Sequence, residues 1–345
     1  MTTKTKRGLA IGAAVLILAG GAFVVLSGRT AEIPGLKEFA EPATCPLSGL
    51  EPANEARIDR PAVAVKIENN PVAYPLSGLE EADLIYEEQV EGGLTRFMAM
   101  YHCNDVSKAG PVRSARIVDP AIMSPITRIL AAAGGNKPVR DNLDEFDIVV
   151  LDENTSNGAL SRVERPGISS EHTLYGDTKS LRRLGSKEFD DVPPDDLFTF
   201  GELEDGKSKK TSRIILDFGN SDISYEWTDG QWFRFDSQEP LMMESGDQLG
   251  IDNVLIEEHT INLSGLSDVL GTPSPEIEDV TGNGRAILFR DGRMIMGQWS
   301  RESVDDPVVF TDTRGEPLVL APGRTLIELL PNQEGDVKGS FTREK

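Results

Sequence analysis

The sequence predicts an α+β protein, in which a mixed α/β N-terminal domain precedes a mainly antiparallel β C-terminal domain, behind an N-terminal transmembrane helix. Three observations support this fold class. Residues 8–28 form an uncharged apolar run, strand and helix patterns alternate between residues 60 and 200, and Asp-Gly turns separate alternating runs after residue 212. The predicted segments are a cytoplasmic tip and anchor (1–29), an extracytoplasmic stalk (30–59), the α/β domain (60–200), a linker (201–212), the β-rich domain (213–335) and a polar tail (336–345).

The apolar run is long enough to cross a membrane as a helix, for which about 20 residues suffice. Lys4, Lys6 and Arg7 precede it, and this basic flank predicts that the start of the chain is cytoplasmic and that the rest lies outside. A cleaved export signal is the alternative, but the core of such a signal usually has only about 7–15 residues, which favours a retained single-pass anchor. Arg29 stands where a lipid-carrying cysteine would follow Leu26-Ser27-Gly28, so no lipid attachment is expected there.

Composition limits the partners of the protein. The chain carries 35 Lys and Arg against 57 Asp and Glu, a formal net charge of −22. Such an acidic body repels nucleic acid and anionic lipid headgroups except at a local basic patch. The predicted partners are therefore the membrane, through the N-terminal helix, and a cell-envelope polymer or a membrane protein, without nucleic acid.

The chain has two cysteines, Cys45 and Cys103. An even cysteine count in an exported protein predicts one disulfide, which would stabilise the fold by about 4 kcal/mol for a loop of this length. Two free thiols remain the alternative, because sequence does not determine pairing.

Residues 83–117 are the stretch around which the first domain is organised. The runs 84–90 and 94–102 are rich in β-forming residues, and Gly92-Gly93 between them predicts a hairpin. A third extended run follows at 112–117. Asp119-Pro120 then begins a predicted helix whose apolar face continues to Gly134-Gly135.

The second domain has stronger turn signals. Asp229-Gly230 and Asp291-Gly292 each stand between two runs of alternating apolar and polar residues. Asp-Gly in this position is the strongest short hairpin signal, because both central residues of the favoured turn need positive φ. About eight strands and almost no helix are expected here.

Charged side chains are dense on the organising stretch and allow two interpretations. They form a solvated sheet face, with cross-strand pairs worth about 0.2–1 kcal/mol each, or they form an anion or ligand site, because guanidinium forks match phosphate and carboxylate groups. In the second case an acid serves as base or metal ligand, and a histidine of ordinary pKa adds acid/base capacity, although a single histidine is more often a hydrogen-bonding residue. The candidate residues are Arg96, Arg113, Arg116, Glu87, Glu88, Asp119 and His172.

Motifs of known chemistry do not occur in the sequence. We find no nucleophile elbow, phosphate-binding Walker loop, dinucleotide fingerprint or metal-spaced His/Cys cluster. No cofactor and no metal are predicted. Whether the protein is an enzyme stays open, and catalytic residues are not assigned.

Several segments together resemble one family. They are Arg60-Pro-Ala-Val-Ala-Val-Lys-Ile-Glu-Asn, Glu91-Gly-Gly-Leu-Thr-Arg-Phe, Gly110-Pro-Val-Arg-Ser-Ala-Arg, His172-Thr-Leu-Tyr, Gly297-Gln-Trp-Ser-Arg and Ala321-Pro-Gly-Arg-Thr. In this order they are similar to the YerB-like bacterial lipoproteins. The resemblance implies a membrane-tethered, extracytoplasmic protein of two domains in a family of unknown function. The chain departs from the pattern by lacking the lipidated cysteine and by having Thr173 where Asn is expected, which weakens any role for His172.

Two hypotheses of function follow. The first is an envelope protein at the bacterial cell membrane that binds a cell-envelope component or a partner protein without catalysis. The alternative is an enzyme or carrier that acts on a phosphorylated envelope intermediate through the arginine-rich anion site. The distinguishing observation is whether the three candidate arginines and an acid converge in one place or spread over a flat face.

Overall fold

The computed structural model describes residues 43–203, 208–219, 222–268 and 271–345. It also describes three short strands before them, β1 Ala14–Leu18, β2 Gly21–Leu26 and β3 Arg29–Glu32. Residues Met1–Ala43 and Thr44–Lys345 form two separate compact units.

The predicted transmembrane helix, residues 8–28, is not observed among the described residues. Of this run the structure describes only β1 and β2, which pair antiparallel, and β3 pairs antiparallel with β2. The other residues of the run lie outside the described part of the chain. Within that part, no helix is long and apolar enough to cross a membrane. An apolar run rich in Val, Leu and Ile does not by itself distinguish strand from helix, because it has no periodicity to separate them.

The second unit is mostly β-structure with few helices. In its described residues the α-helices are α1 Asp119–Met123, α2 Lys137–Glu145 and α3 Thr178–Gly185. Short 3-10 helices occur at Glu55–Arg57, Pro71–Ala73, Leu79–Glu81, Glu91–Gly93 and Ser170–His172. The strands, numbered in chain order, are β4 Val63–Asn69, β5 Leu84–Gln89, β6 Thr95–Tyr101, β7 Ile129–Ala131, β8 Val149–Leu151, β9 Leu160–Arg162, β10 Leu174–Gly176, β11 Thr199–Phe200, β12 Lys209–Lys210, β13 Arg213–Asp217, β14 Asp222–Thr228, β15 Gln231–Asp236, β16 Glu239–Pro240, β17 Gly250–Ile251, β18 Asn253–His259, β19 Ile261–Ser267, β20 Pro273–Ile277, β21 Gly282–Arg290, β22 Arg293–Arg301, β23 Val309–Asp312, β24 Val319–Leu320, β25 Thr325–Pro331 and β26 Ser340–Glu344.

One large sheet joins the two halves of the sequence. Among the described residues its strand order is β12-β22-β21-β18-β25-β5-β6-β4-β7-β8, with β23 on β22. The halves meet where β25 pairs in parallel with β5. β12, which lies within the predicted linker, pairs with β22 at one end of this sheet.

The large sheet has two faces that we name after neighbouring residues of β5. Side chains alternate along a strand, so Leu84, Tyr86 and Glu88 lie on the Glu88 face, and Ile85 and Glu87 lie on the Glu87 face. A six-stranded sheet of β13 to β17 and β26 packs on the Glu87 face, whereas α1 and α2 pack on the Glu88 face. Both faces are therefore buried over most of the sheet.

The predicted hairpins are confirmed. β5 and β6 pair antiparallel, and so do the strands on either side of the two Asp-Gly turns. Asp229 and Asp291 have φ of 51° and 52°, and the glycines after them also have positive φ. These are the values that a tight hairpin turn requires, and they explain why Asp-Gly is found there.

The predicted helix beginning at Asp119 is correct only at its start. α1 ends at Met123, and Ile129–Ala131 forms β7, which pairs in parallel with β4. Pro125 has no backbone N–H to continue the helical hydrogen bonds, and Ile129 and Leu130 are buried in the sheet instead. The predicted extended run 112–117 does not form a strand: Val112 makes a single β-bridge, to Ile67, and Ile117 lies in a turn.

The disulfide prediction is confirmed. Cys45 and Cys103 are bonded, with a sequence separation of 58 residues and Cα atoms 6.1 Å apart. The bond joins the start of the second unit to the end of β6, and both cysteines are buried. Leu47 beside it is fully buried, so this part of the predicted stalk packs on the body.

Candidate functional site

Charged side chains lie side by side across three neighbouring strands on the Glu88 face. Arg96 of β6 stands directly opposite Glu68 of β4 on one side and Glu88 of β5 on the other. Lys66 is two residues before Glu68 and shares its face. The pairing of β6 with β4 and β5 therefore brings together charges that are up to 30 positions apart in the sequence.

Lys66 lies at the centre of this group. Its side chain is fully buried, and its Nζ donates hydrogen bonds to Glu88 and, at 2.9 Å, to Asp119 Oδ1. Asp119 Oδ2 accepts a hydrogen bond of 2.7 Å from the backbone N–H of Arg116. Burial raises the pKa of Glu88 to about 7, although the neighbouring Lys66 ammonium lowers it. A buried ammonium thus connects a strand carboxylate to the first residue of α1.

The three predicted arginines surround this centre. Arg113 Nε lies 3.3 Å from Glu68 Oε1, and Arg113 Nη1 donates to the carbonyl oxygen of Glu171 at 3.1 Å. Arg116 forms an ion pair with Glu91. Arg96 donates to the carbonyl oxygen of Ser114 at 2.9 Å, and burial lowers its pKa. We define the charged cluster by the following residues: Lys66, Glu68, Glu88, Glu91, Arg96, Arg113, Arg116, Asp119 and His172.

Some hydrogen-bond donors of the arginines in the charged cluster have no partner. In the described part of the chain, the Nε atoms of Arg96, Arg113 and Arg116 are buried and make no hydrogen bond. A buried donor without a partner costs about 1–3 kcal/mol. The side chains of Arg113 and Arg116 are 25% and 17% exposed, so this part of the charged cluster reaches the surface.

His172 joins the charged cluster through Glu68. Its Nδ1 lies 2.7 Å from Glu68 Oε2, and its Nε2 lies 3.3 Å from Glu171 Oε1. Glu68 therefore contacts both His172 and Arg113, and it fixes the orientation of the imidazole ring. A ring held by a carboxylate beside guanidinium groups is able to bind an anion or to exchange a proton with one. Thr173 takes no part, since its hydroxyl donates to the carbonyl oxygen of Ser170.

The sequence analysis includes Glu87 among the candidate site residues, but in the structure Glu87 lies outside the charged cluster. It lies on the opposite face, where Arg234 Nη1 and Nη2 donate to its two carboxylate oxygens at 2.6 and 2.8 Å. Glu328, Tyr225 and Asp236 also contact Arg234. We call these five residues the Glu87 network. Glu87 and Glu88 are neighbours on one strand, so side-chain alternation separates them.

Sequence reasoning missed three members of the charged cluster, Lys66, Glu68 and Glu91. A signal existed for two of them, because Lys66 and Glu68 are charged residues with the spacing of one face inside an otherwise apolar strand. Glu91 gave no such signal, because it lies in the connection between β5 and β6. Among the described residues no group of three or more His, Cys, Asp and Glu side chains is placed to hold a metal ion.

The structure is that of a mostly β protein in which one sheet joins the two halves of the sequence. Comparison with known families also divides the chain into these two halves. Residues 47–190 match the N-terminal domain and residues 214–327 match the C-terminal domain of the family described as protein of unknown function DUF3048. The chain belongs to this family.

One relative and its solved structure support the assignment. YerB of Bacillus subtilis strain 168, a protein named as a lipoprotein, is 24% identical over 308 residues, which cover 86% of this chain and 88% of the relative. The crystal structure of the Bacillus subtilis YerB protein superposes with a TM-score of 0.70 at 22% identity, covering 87% of this chain and 99% of that chain. At this identity the structural likeness establishes the fold.

Proposed function

We propose that this is an extracytoplasmic protein, attached to the bacterial cell membrane, that binds an anionic component of the cell envelope through the charged cluster. The observation that carries the proposal is the convergence of Arg96, Arg113 and Arg116 in one cluster, where the side chains of Arg113 and Arg116 are 25% and 17% exposed. Anionic oxygens would accept hydrogen bonds from the guanidinium groups that reach the surface.

The disulfide supports the location. Disulfides form and persist in oxidising compartments, outside the cytoplasm, and the Cys45–Cys103 bond has the loop length at which such a bond contributes about 4 kcal/mol. The name of the Bacillus subtilis relative describes a lipoprotein, and a lipoprotein is also held at a membrane. Arg29 excludes the same attachment at the matching place here.

The attachment we propose is the apolar run 8–28, inserted in the membrane as a single helix. Inside a bilayer every backbone N–H and C=O must find a partner within the segment, and a helix provides this for a single segment. Protease added to intact protoplasts should remove the body and leave a small fragment in the membrane. A full-length soluble body that starts near residue 30 would instead show that the run is a cleaved signal.

The binding proposal is tested by replacing the surface-reaching arginines with lysine. Arg113→Lys and Arg116→Lys keep the positive charge but lose the planar fork that grips an anion through two donors. We expect at least tenfold weaker binding of wall-polymer fragments or polyprenyl phosphate, measured by titration calorimetry on the full chain in detergent micelles. Arg285→Lys is the matched control, since Arg285 pairs with Glu258 and lies over the ring of Phe341, on the opposite face of the large sheet from the charged cluster.

The results of this titration distinguish an anion site from surface ion pairs. Weakened binding in both variants, with the Arg285→Lys control unchanged, supports the anion site. If wild type and both variants bind equally, or if wild type binds neither ligand, Arg113 and Arg116 only form surface ion pairs and the anion site is wrong.

One contact favours a second candidate function, an enzyme or carrier acting on a phosphorylated envelope intermediate. The pairing of His172 with Glu68 at 2.7 Å, beside Arg113, places a proton-exchanging ring next to the proposed anion site. His172→Gln should then abolish any turnover of a polyprenyl-linked phosphate while leaving its binding within about twofold. Wild-type protein that binds this ligand and never converts it would leave only the binding function.

A further inference from the structure

An open cavity of about 490 Å³ lies where the end of β22 meets β23 and the chain around β11 and β24. Sheet pairing fixes its walls, because β23 pairs with β22, β11 pairs with β24, and the carbonyl oxygen of Phe310 accepts a hydrogen bond of 2.9 Å from the backbone N–H of Leu318. No residue of the charged cluster lines this cavity. It is therefore a separate feature of the surface.

The walls of the cavity are mainly apolar. The rings of Phe198 and Phe310 stack nearly parallel, with their centroids 6.4 Å apart. Val309 also lines the cavity and is 55% exposed, so the apolar surface continues to the outside. A cavity of a few hundred Å³ with walls of this kind is typical of binding sites. The other apolar lining residues are Leu197, Pro307, Val308, Pro317, Leu318 and Leu320.

Three exposed carboxylates complete the lining, those of Asp196, Glu302 and Asp306. In the part of the chain that the structure describes, none of them forms an ion pair, and the same holds for their exposed neighbours Asp195 and Asp305. The acids of the charged cluster differ, because lysine, arginine or histidine side chains pair with them. The negative charge around this cavity is thus left for a partner to neutralise.

The only cation in the described lining is Arg301, and its guanidinium binds its own loop. Nε donates to the carbonyl oxygens of Ser303 and Asp306 at 3.0 and 2.8 Å, and Nη2 donates to that of Val304. Arg301 is 5% exposed, so it lies beneath the carboxylates and supports the loop that carries two of them. Three carboxylates against one buried guanidinium leave the cavity negative.

We infer that this cavity is a docking site for a basic, partly apolar segment of another protein. An aliphatic or aromatic side chain of the segment packs on Phe198 and Phe310, and its lysine or arginine side chains pair with the carboxylates. Complementary charge speeds encounter and selects partners, and the formal net charge of −22 on the whole chain attracts a basic partner from a distance. The site is independent of the anion binding proposed above, which needs a ligand of the opposite charge.

Charge also decides between this occupant and two others. A second copy of the chain is disfavoured, because its own acidic surface would meet the carboxylates. A small alkylammonium carries one positive charge, whereas the acids come from two separate segments, 195–196 and 302–306. Several basic side chains along one peptide are able to pair with both segments while an apolar side chain fills the space between the walls.

The probe is a short fluorescent peptide in which lysine alternates with leucine. Its binding to full-length protein in phosphatidylcholine nanodiscs is measured by fluorescence anisotropy, with empty nanodiscs as the blank. A peptide with serine in place of each leucine should bind at least tenfold more weakly, because it cannot use the apolar walls. Decylamine, the small-cation competitor, should displace the lysine-leucine peptide only at much higher concentration.

Three variants change exposed positions of the lining, so the fold is expected to tolerate them. The double variant Glu302→Gln/Asp306→Asn removes two carboxylates, Ser300→Lys adds a like charge, and Val309→Ser removes apolar surface. Each should weaken binding of the lysine-leucine peptide at least threefold.

The matched control is Asp229→Asn/Glu334→Gln. It removes the same two charges from exposed positions that do not line the cavity. Its binding of the lysine-leucine peptide should equal that of wild type.

Weaker binding by all three variants, with the control unchanged, supports the docking site. If the control loses as much affinity as Glu302→Gln/Asp306→Asn, the peptide is held only by the overall charge and the site is wrong. Equal binding of the serine peptide, or no binding of the lysine-leucine peptide to wild type, also overturns the proposal. Displacement by decylamine at the concentration of the peptide itself would show that the occupant is a small amphiphile. Because every variant leaves Arg113 and Arg116 in place, failure here does not affect the test of the anion site.

Discussion

The charged cluster and the Glu87 network meet β5 from its two opposite faces, and each contains several buried charged side chains. In the Glu87 network, Arg234, Glu87 and Glu328 are fully buried, and the guanidinium meets both carboxylates and a tyrosine hydroxyl. In the charged cluster, two arginine side chains reach solvent and three Nε donors have no hydrogen-bond partner in the described residues. Arg234 Nε and Glu328 Oε2 also lack a hydrogen-bond partner among the described residues. The Glu87 network is therefore closed, and the charged cluster open, in the access of solvent to their arginines and not in hydrogen bonding.

The difference shows which buried charges serve the fold. The Glu87 network takes Glu87 from the first half of the sequence and Arg234, Tyr225 and Glu328 from the second half, and it lies where β5 meets β25. Solvent does not reach the Arg234 side chain, so a ligand has no access to it. The charged cluster has arginine side chains that reach the surface, and for that reason we place ligand binding there.

Breaking the closed network should have the largest effect. Arg234→Met removes the counter-ion of Glu87 and leaves buried carboxylates without a cation, which is expected to lower the free energy of unfolding by about 3–5 kcal/mol. Urea denaturation followed by tryptophan fluorescence measures it. A loss of less than about 1 kcal/mol would show that the network is not a principal support of the junction between the halves.

Within the same network Glu87 and Glu328 should respond differently. Burial and the charge of Glu87 raise the pKa of Glu328 well above its usual range, which favours the neutral form of Glu328, so Glu328→Gln should cost less than about 1 kcal/mol. Glu87→Gln removes the bidentate partner of Arg234 and should cost about 3 kcal/mol. Equal losses in the two variants, measured by the same urea titration, would contradict this assignment of charge.

The charged cluster should make the free energy of unfolding depend on pH. The folded-state pKa of Glu88 is about 7, above its ordinary value of 4.5, so the folded protein binds more protons than the unfolded chain between these limits. The contribution of Glu88 is therefore greatest below pH 4.5 and is lost as the pH rises through 7, by about 3 kcal/mol. Stability of wild type and Glu88→Gln, measured from pH 4.5 to 8, should diverge over this window. Parallel curves would exclude Glu88 as the titrating group.

The smallest change in stability is expected at the rim of the charged cluster. Arg113 is 25% exposed, and its pairing with Glu68 resembles a surface ion pair, so Arg113→Lys should change the free energy of unfolding by less than about 1 kcal/mol. The same variant is expected to weaken anion binding strongly. A large loss of stability without any change in binding would make Arg113 a residue of the scaffold, like Arg234.

Local signals in the sequence were sufficient for the strands and turns of the body. The β5–β6 hairpin, β4 and both Asp-Gly turns follow from β-forming runs and from residues that accept positive φ, because these preferences act over a few residues. The cysteine count and export context predicted the single disulfide for a similar reason, since only two partners were available. The limits of α1 were not predictable, because Ile129 and Leu130 satisfy a helical and a strand pattern equally well.

The tertiary structure alone decided how the candidate residues divide. Six of the seven predicted ligand-binding candidates lie in the charged cluster, and Glu87 lies across the sheet. The sequence does determine that Glu87 and Glu88 point to opposite faces, because alternation is a property of any strand. It does not determine which face each partner element covers, because burial of Arg234 against Glu87 depends on how the six-stranded sheet packs on the large sheet, and that packing is set by contacts between residues far apart in the chain.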